Sequence, residues 1–211
     1  MAYWLMKSEP DCFSIDDLAS RPAQTEAWDG VRNYQVRNMM RDQMRPGDLA
    51  FFYHSSCPQP GIYGEMEIVS NAYPDPTQFD PDHEHHDPKA RREEPRWLLV
   101  EVRFRRRFDP PVLLEVLRAQ AARLQGLRIL ERGSRLSVTP VTEPVTVRAW
   151  MASQVTPPSG TAQVRPVSVI SGVTGVPSMA KEIGFSCSPC RKNSCFGASG
   201  FGAKRMRERT R

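Results

Sequence analysis

"GDLAFFYHSSCPQPGIYGEMEIV" (residues 47–69) decides the fold. Pro46 and Gly47 make a turn, and the apolar run that follows predicts a strand from about Leu49 to His54. A proline-containing loop then reverses the chain, and "GIYGEMEIV" returns as a second strand. The pair reads as a β-hairpin with a longer loop, and the rest of the chain is organised around it.

Upstream, "YWLMK" (3–7) is a short apolar run of the kind found in a strand buried on both faces. The helix-start signal in "SEPDCFSIDDL" predicts Ser14 as N-cap with Asp17 three residues on and Ile15 and Leu18 on one face. Downstream, five prolines and dense charge make 74–95 a long surface loop. "WLLVEVRFRRRF" (97–108) alternates, with Leu98, Val100, Val102 and Phe104 facing one way, so it reads as a half-buried strand. Asp109 and two prolines are expected to open a helix through "VLLEVLRAQ", with Leu113, Val116 and Leu117 on one face. A second helical piece with Leu124 and Leu127 follows, and "RGSRLSVTPV" enters a short strand.

The chain has 211 residues, room for one ordinary domain and an appendage. No run approaches the roughly 18 apolar residues of a membrane helix, and the start lacks a basic region followed by an apolar signal core, so a soluble cytoplasmic protein, or a nuclear one in a eukaryote, is expected. Five cysteines without an export signal argue for free thiols. The net charge of +5 hides a split: residues 152–211 carry +7, and the remainder −2. The division expected is a folded domain over 1–151 and a low-complexity, disordered basic tail over 152–211. A nearly neutral domain means that any case for nucleic acid must come from particular residues.

"WDGVRNYQVRN" (28–38) is the clearest of these. It has neither helical nor strand periodicity and concentrates Trp28, Tyr34, two arginines and two asparagines, as a contact surface does. With "YWLMKSEP" (3–10), the hairpin, "YPDPTQFD" (73–80), "DPK" (87–89), "PRW" (95–97) and "RGSRLSVTPVT" (133–142), it resembles the EVE domain family of the PUA-like superfamily, in the same order over about 150 residues. The resemblance implies an α+β domain: a PUA-like curved mixed β-barrel surrounded by helices, with a pocket for a modified nucleobase. It also implies kinship with YTH domains, in which a Lys-Ser pair ending the first strand and a tryptophan form part of the pocket. Lys7, Ser8 and Trp28 occupy those positions.

A base read in this way leaves its stack and enters a slot where aromatic faces replace its neighbours. Trp28, Tyr34 and Tyr53 are the stacking candidates. Ser8, Asn33, Asn38, His54, Ser55 and Ser137 can supply hydrogen bonds, and Arg32, Arg37 and Arg135 can hold phosphates, although Asp29 and Asp42 are also available to pair with the first two. Stacking contributes about 1–3 kcal/mol per base whatever the base. Discrimination must come from the modification, where one buried methyl is worth about 0.8 kcal/mol, or about fourfold. The expected partner is nucleic acid with methylated or hydroxymethylated bases, bound by a monomer without cofactor, metal or membrane.

Other readings stay open. "DHEHHD" (82–87) contains metal-ligand residue types, but contiguous spacing suits a flexible loop better than a preformed site. "CSPCRKNSC" (187–195) lacks a matched second pair. His54 beside Ser55 and Cys57 admits a hydrolase fragment, yet adjacent strand residues point to opposite faces unless the strand ends there. A peptide-binding groove is the third alternative.

Overall fold

The structure is a computed structural model that describes residues 1–142 and 144–154. Its centre is a mixed sheet of β1 (Tyr3–Ser8), β2 (Thr25–Trp28), β3 (Leu49–His54), β4 (Gly61–Ile68), β5 (Tyr73–Pro74), β6 (Leu98–Leu113) and β7 (Val138–Pro140). The strand order is β2-β6-β4-β3-β1-β7, with β5 also on β6. β1 runs parallel to β3, and every other pairing is antiparallel. The 47–69 hairpin is therefore the middle of the sheet, with β3 starting and ending where its sequence predicts.

Both faces of the central strands are covered, which is why β1 and β3 are apolar at nearly every position. Met6, Phe52, Met66, Val100 and Trp28 face one core, closed by α1 (Ile15–Ser20) and α2 (Tyr34–Asp42). Leu5, Phe51, Tyr53, Ile62 and Phe108 face a second core that includes Leu117, Leu124, Leu127 and Trp150 from α3 (Leu114–Ala119), the turns after it and α4 (Pro144–Gln154). The Ser14 capping box forms: its hydroxyl accepts from Asp17 N–H while the Asp17 carboxylate accepts from Ser14 N–H.

Three expectations need correction. The helix expected from Asp109 does not begin there; β6 continues through Pro110 and Pro111 to Leu113, and α3 covers only Leu114–Ala119. The register explains how prolines fit inside a strand. Ile62 faces Val112 but Gly64 faces Arg107, so residues 108–111 sit in an irregularity where no ladder N–H is required. Val116 is consequently exposed and only Leu117 of that helix is buried. The 74–95 loop is not merely superficial, because Asp75, Gln78 and His85 within it are buried. Cys57 is a free thiol as expected, whereas Cys12 is disulfide-bonded. The expected tail lies, from residue 155 on, outside the described residues, and so does the 187–195 cysteine group. α4 ends at Gln154.

Candidate nucleic-acid interface

The parallel pairing of β1 with β3 aligns Lys7 with Tyr53 and Ser8 with His54, so both strands end together. Ser55 N–H donates to Ser8 O at 2.8 Å, and Lys7 N–H donates to Ser137 O at 2.8 Å, drawing the entry of β7 to the same place. Lys7, Ser8, His54, Ser55 and Ser137 therefore lie together along the strand ends, with the side chains of Ser8 and His54 on the Phe52 face and that of Lys7 leaving on the opposite, Tyr53 face. The Lys7 ammonium is half-buried, and burial lowers its pKa. Its one acceptor among the described residues is Ser134 O at 3.5 Å, a long contact for a group with three donors.

Trp28 ends β2 and meets Phe52 edge-on at 5.5 Å, with half-buried Phe13 at 6.4 Å; Phe52 in turn meets His54 at 5.4 Å. The indole thus adjoins the polar cluster through Phe52, but it is only 1% exposed. The open slot expected beside Trp28 is closed in this conformation. His54 is also fixed in place. Its Nε2 accepts from Ile15 N–H at 3.2 Å, its ring stacks on Tyr63 at 3.9 Å, and burial pushes its pKa down to about 4. The imidazole is neutral and its acceptor nitrogen serves the start of α1.

Tyr53 does not join the cluster. Alternation along β3 sends Phe52 and His54 to one face and Phe51 and Tyr53 to the other, so Tyr53 is buried in the second core, where burial pushes its hydroxyl up to about 12. Asn33 is the N-cap of α2, accepting from Gln35 and Val36 N–H. Arg135 is exposed.

Arg32 has a structural role in place of the expected phosphate contact. Its Nη1 donates to Asp75 Oδ2 at 2.8 Å and Val31 O at 3.1 Å, Nη2 to Thr77 Oγ1 at 3.0 Å and to His85 O, and Nε to His85 O at 2.9 Å. All five N–H groups are used. Asp75 also accepts from Gly30 N–H at 3.1 Å. Burial would raise the Asp75 pKa, but the bonds from Thr77 and Arg32 outweigh it and hold the carboxyl below the usual range. This staple orders the "DHEHHD" loop, and among the described residues no group of three metal-ligand side chains converges. Neither arginine takes the carboxylate that sequence proximity offers: Arg32 pairs with Asp75 rather than Asp29, and Asp42 pairs with Arg41. Asp29 is left with its pKa pushed up to about 6 by burial and by the neighbouring Asp75.

From Arg32 a column of rings leads outward. Its guanidinium lies 5.6 Å from Trp97, Trp97 lies 4.8 Å from Tyr34, and Arg37 lies 5.0 Å from Tyr34. Arg37 also donates to Asn38 Oδ1, at 2.7 Å from Nη2, and to Arg96 O. Tyr34, Arg37 and Asn38 therefore belong to a second group, separated from the strand-end cluster by Trp97 and Arg32. Tyr34, 50% exposed, and Arg37 open onto a cleft of about 640 Å³ walled by Pro88 and Pro95, with Lys89, Arg91 and Arg96 on its sides. Sequence reading missed these last three cations because the loop that carries them looked unstructured. "DPK" and "PRW" were the available signal.

A curled mixed sheet flanked by helices, with polar strand ends and a basic aromatic cleft, defines an α+β domain of the PUA-like kind. The chain belongs to the EVE domain family, whose model matches residues 2–148. It is 46% identical over 157 residues to mouse thymocyte nuclear protein 1, covering 67% of this chain and 69% of that protein. A crystal structure from Pseudomonas putida is similar at TM-score 0.66 and 50% identity, over 71% of this chain and 99% of that one. The crystal structure of human THYN1 in complex with 5-methylcytosine containing DNA is similar at TM-score 0.68 and 39% identity, over 75% of this chain and 100% of that one.

Proposed function

We propose that this chain is a non-catalytic reader that takes a modified nucleobase, methylated or hydroxymethylated, of DNA or RNA at the strand-end cluster. The observation that carries the reading is the Lys7 ammonium, kept half-buried with one long contact to Ser134 O at the strand end that Lys7 shares with Ser8 and Ser137. Holding a charge there has a free-energy cost, and an acceptor on a base edge or its phosphate would offset it. The relative in complex with 5-methylcytosine containing DNA supports the class of partner. Because the indole of Trp28 is covered in this conformation, binding includes a step that uncovers it, and half-buried Phe13 is the neighbour whose displacement would do so. Engagement of the His54 acceptor nitrogen by Ile15 N–H favours the reader over the hydrolase reading. The name of the vertebrate relatives fits the nuclear alternative better than the cytoplasmic one.

Amide chemical-shift mapping with 5-methyl-2′-deoxycytidine tests the location. Perturbations centred on Lys7, Ser8, Trp28 and Ser137 are expected. Perturbations confined to other surfaces would refute the assignment.

A further inference from the structure

We propose that the cleft between Tyr34 and residues 88–96 is the path of the single strand that flanks the bound base, with Lys89 and Arg91 as its phosphate contacts. This rests on the nucleic-acid reading above. Charge is the first argument. Arg37, Lys89, Arg91 and Arg96 line the cleft against one acid, Glu94. Elsewhere on the sheet surface the arginines already have carboxylate partners: Arg103 and Arg105 share Glu67, Arg106 reaches Glu65, and Arg107 reaches Asp16. Lys89 and Arg91 have no ion pair among the described residues and are exposed. Two uncompensated cations side by side repel one another, and a polyanion relieves that repulsion.

Construction is the second argument. Arg96 is fixed by Tyr34, whose hydroxyl accepts from its Nη1 at 2.9 Å, and its Nε lies 3.7 Å from Asp87. Asp87 in turn accepts from Trp97 Nε1 at 2.7 Å and from Lys89 N–H at 2.9 Å. The loop carrying Lys89 and Arg91 is thus anchored to the ring column, and the cations are held beside an exposed tyrosine. An aromatic beside tracked positive charge is how proteins hold single strands without reading their sequence. The volume, about 640 Å³, is in the range of sites that take a whole organic group rather than one phosphate. Through Trp97 and Arg32 the cleft is mechanically continuous with Gly30 and the end of β2, where Trp28 sits.

The test is the salt dependence of binding to short single-stranded oligonucleotides, with and without 5-methylcytosine, for the full chain and for Lys89→Gln/Arg91→Gln. Removing two phosphate contacts should make the slope of log affinity against log salt shallower by about 1.4, so that between 50 and 200 mM salt the unsubstituted chain loses about sevenfold more affinity than the variant. Both strands should weaken alike, leaving the preference between them unchanged. An Arg118→Gln/Arg123→Gln variant, carrying the same charge change at exposed positions in α3 and the turn after it, away from the cleft lining, should keep the original slope. An unchanged slope in the cleft variant, or an equal change in the Arg118/Arg123 variant, overturns the proposal. A preference of one with a shallower slope in the cleft variant alone supports the cleft and refutes the modified-base reading. Absence of binding to any strand refutes both.

Discussion

Replacing Lys7 with Met separates function from stability. Methionine matches the length of the aliphatic stem and removes the ammonium, while the β1 backbone pairings with Tyr53 and Ser137 O do not depend on the side chain. In the folded protein the charge is partly buried and held by one 3.5 Å contact, so its pKa is lowered and its removal should leave the melting temperature unchanged or raise it. With nucleic acid bound, the same group makes a charge-assisted hydrogen bond, a class worth about 1.5–3 kcal/mol. Affinity for a methylated strand should therefore fall by about 10- to 150-fold. Thermal melts and calorimetric titrations on the same preparation read both quantities. A lower melting temperature with unchanged affinity would show that Lys7 serves the Ser134 loop, and the functional reasoning would fail.

Asp29 and His54 titrate in opposition. His54, lowered from 6.5 to about 4, contributes stability that is complete above pH 6.5 and is lost as the pH falls toward 4; Asp29, raised from 3.8 to about 6, works against folding above pH 6 and is relieved as the pH falls through the same window. Between pH 7 and pH 4–5 each should change stability by about 2 kcal/mol, a loss for His54 and a relief for Asp29. In denaturant titrations relative to the unsubstituted protein, Asp29→Asn should be more stable at pH 7 and lose that advantage by pH 4, and His54→Gln should show the opposite trend; parallel curves would contradict both assignments. Arg32→Ala should destabilise by about 3–5 kcal/mol in urea unfolding, because it strands the buried Asp75 carboxylate; a loss under 1 kcal/mol would mean that the staple is not structural. Gly30→Ala should lower the melting temperature, since φ is +69° and a Cβ there would lie 2.5 Å from His85 Cε1.

The hairpin, the capping box and the buried β1 were legible because their signals are local: alternation, an N-cap with its partner three residues on, and an unbroken apolar run. The end of β6 was not. Pro110 and Pro111 after Asp109 look like a helix start, and only the shift in register against Ile62 and Gly64 on the neighbouring strand shows why prolines are tolerated there. The 74–95 loop was misread for a related reason, as its order comes from Arg32, over forty residues away in sequence. Among the site residues, Lys7, Ser8, His54, Ser55 and Ser137 come together along the backbone because strand ends coincide, and the pairing of β1 with β3 and β7 that causes this is not visible in any one apolar run. Tyr53, and with it the side chain of its partner Lys7, falls on the face opposite Ser8 and His54 by one position of a two-residue period. Arg32 looks like an available cation because Asp75, Thr77 and His85, which accept four of its five hydrogen bonds, are distant in sequence, and Lys89, Arg91 and Arg96 lie inside a segment that composition marks as unstructured.

The most direct test of the account is a pair of calorimetric titrations at one salt concentration, with short single strands differing by one methyl group on a single cytosine. Modified-base reading predicts tighter binding of the methylated strand, by about fourfold for burial of one methyl group and by more if the pocket is fitted to it. Equal affinities, in a protein that binds both strands, would contradict it.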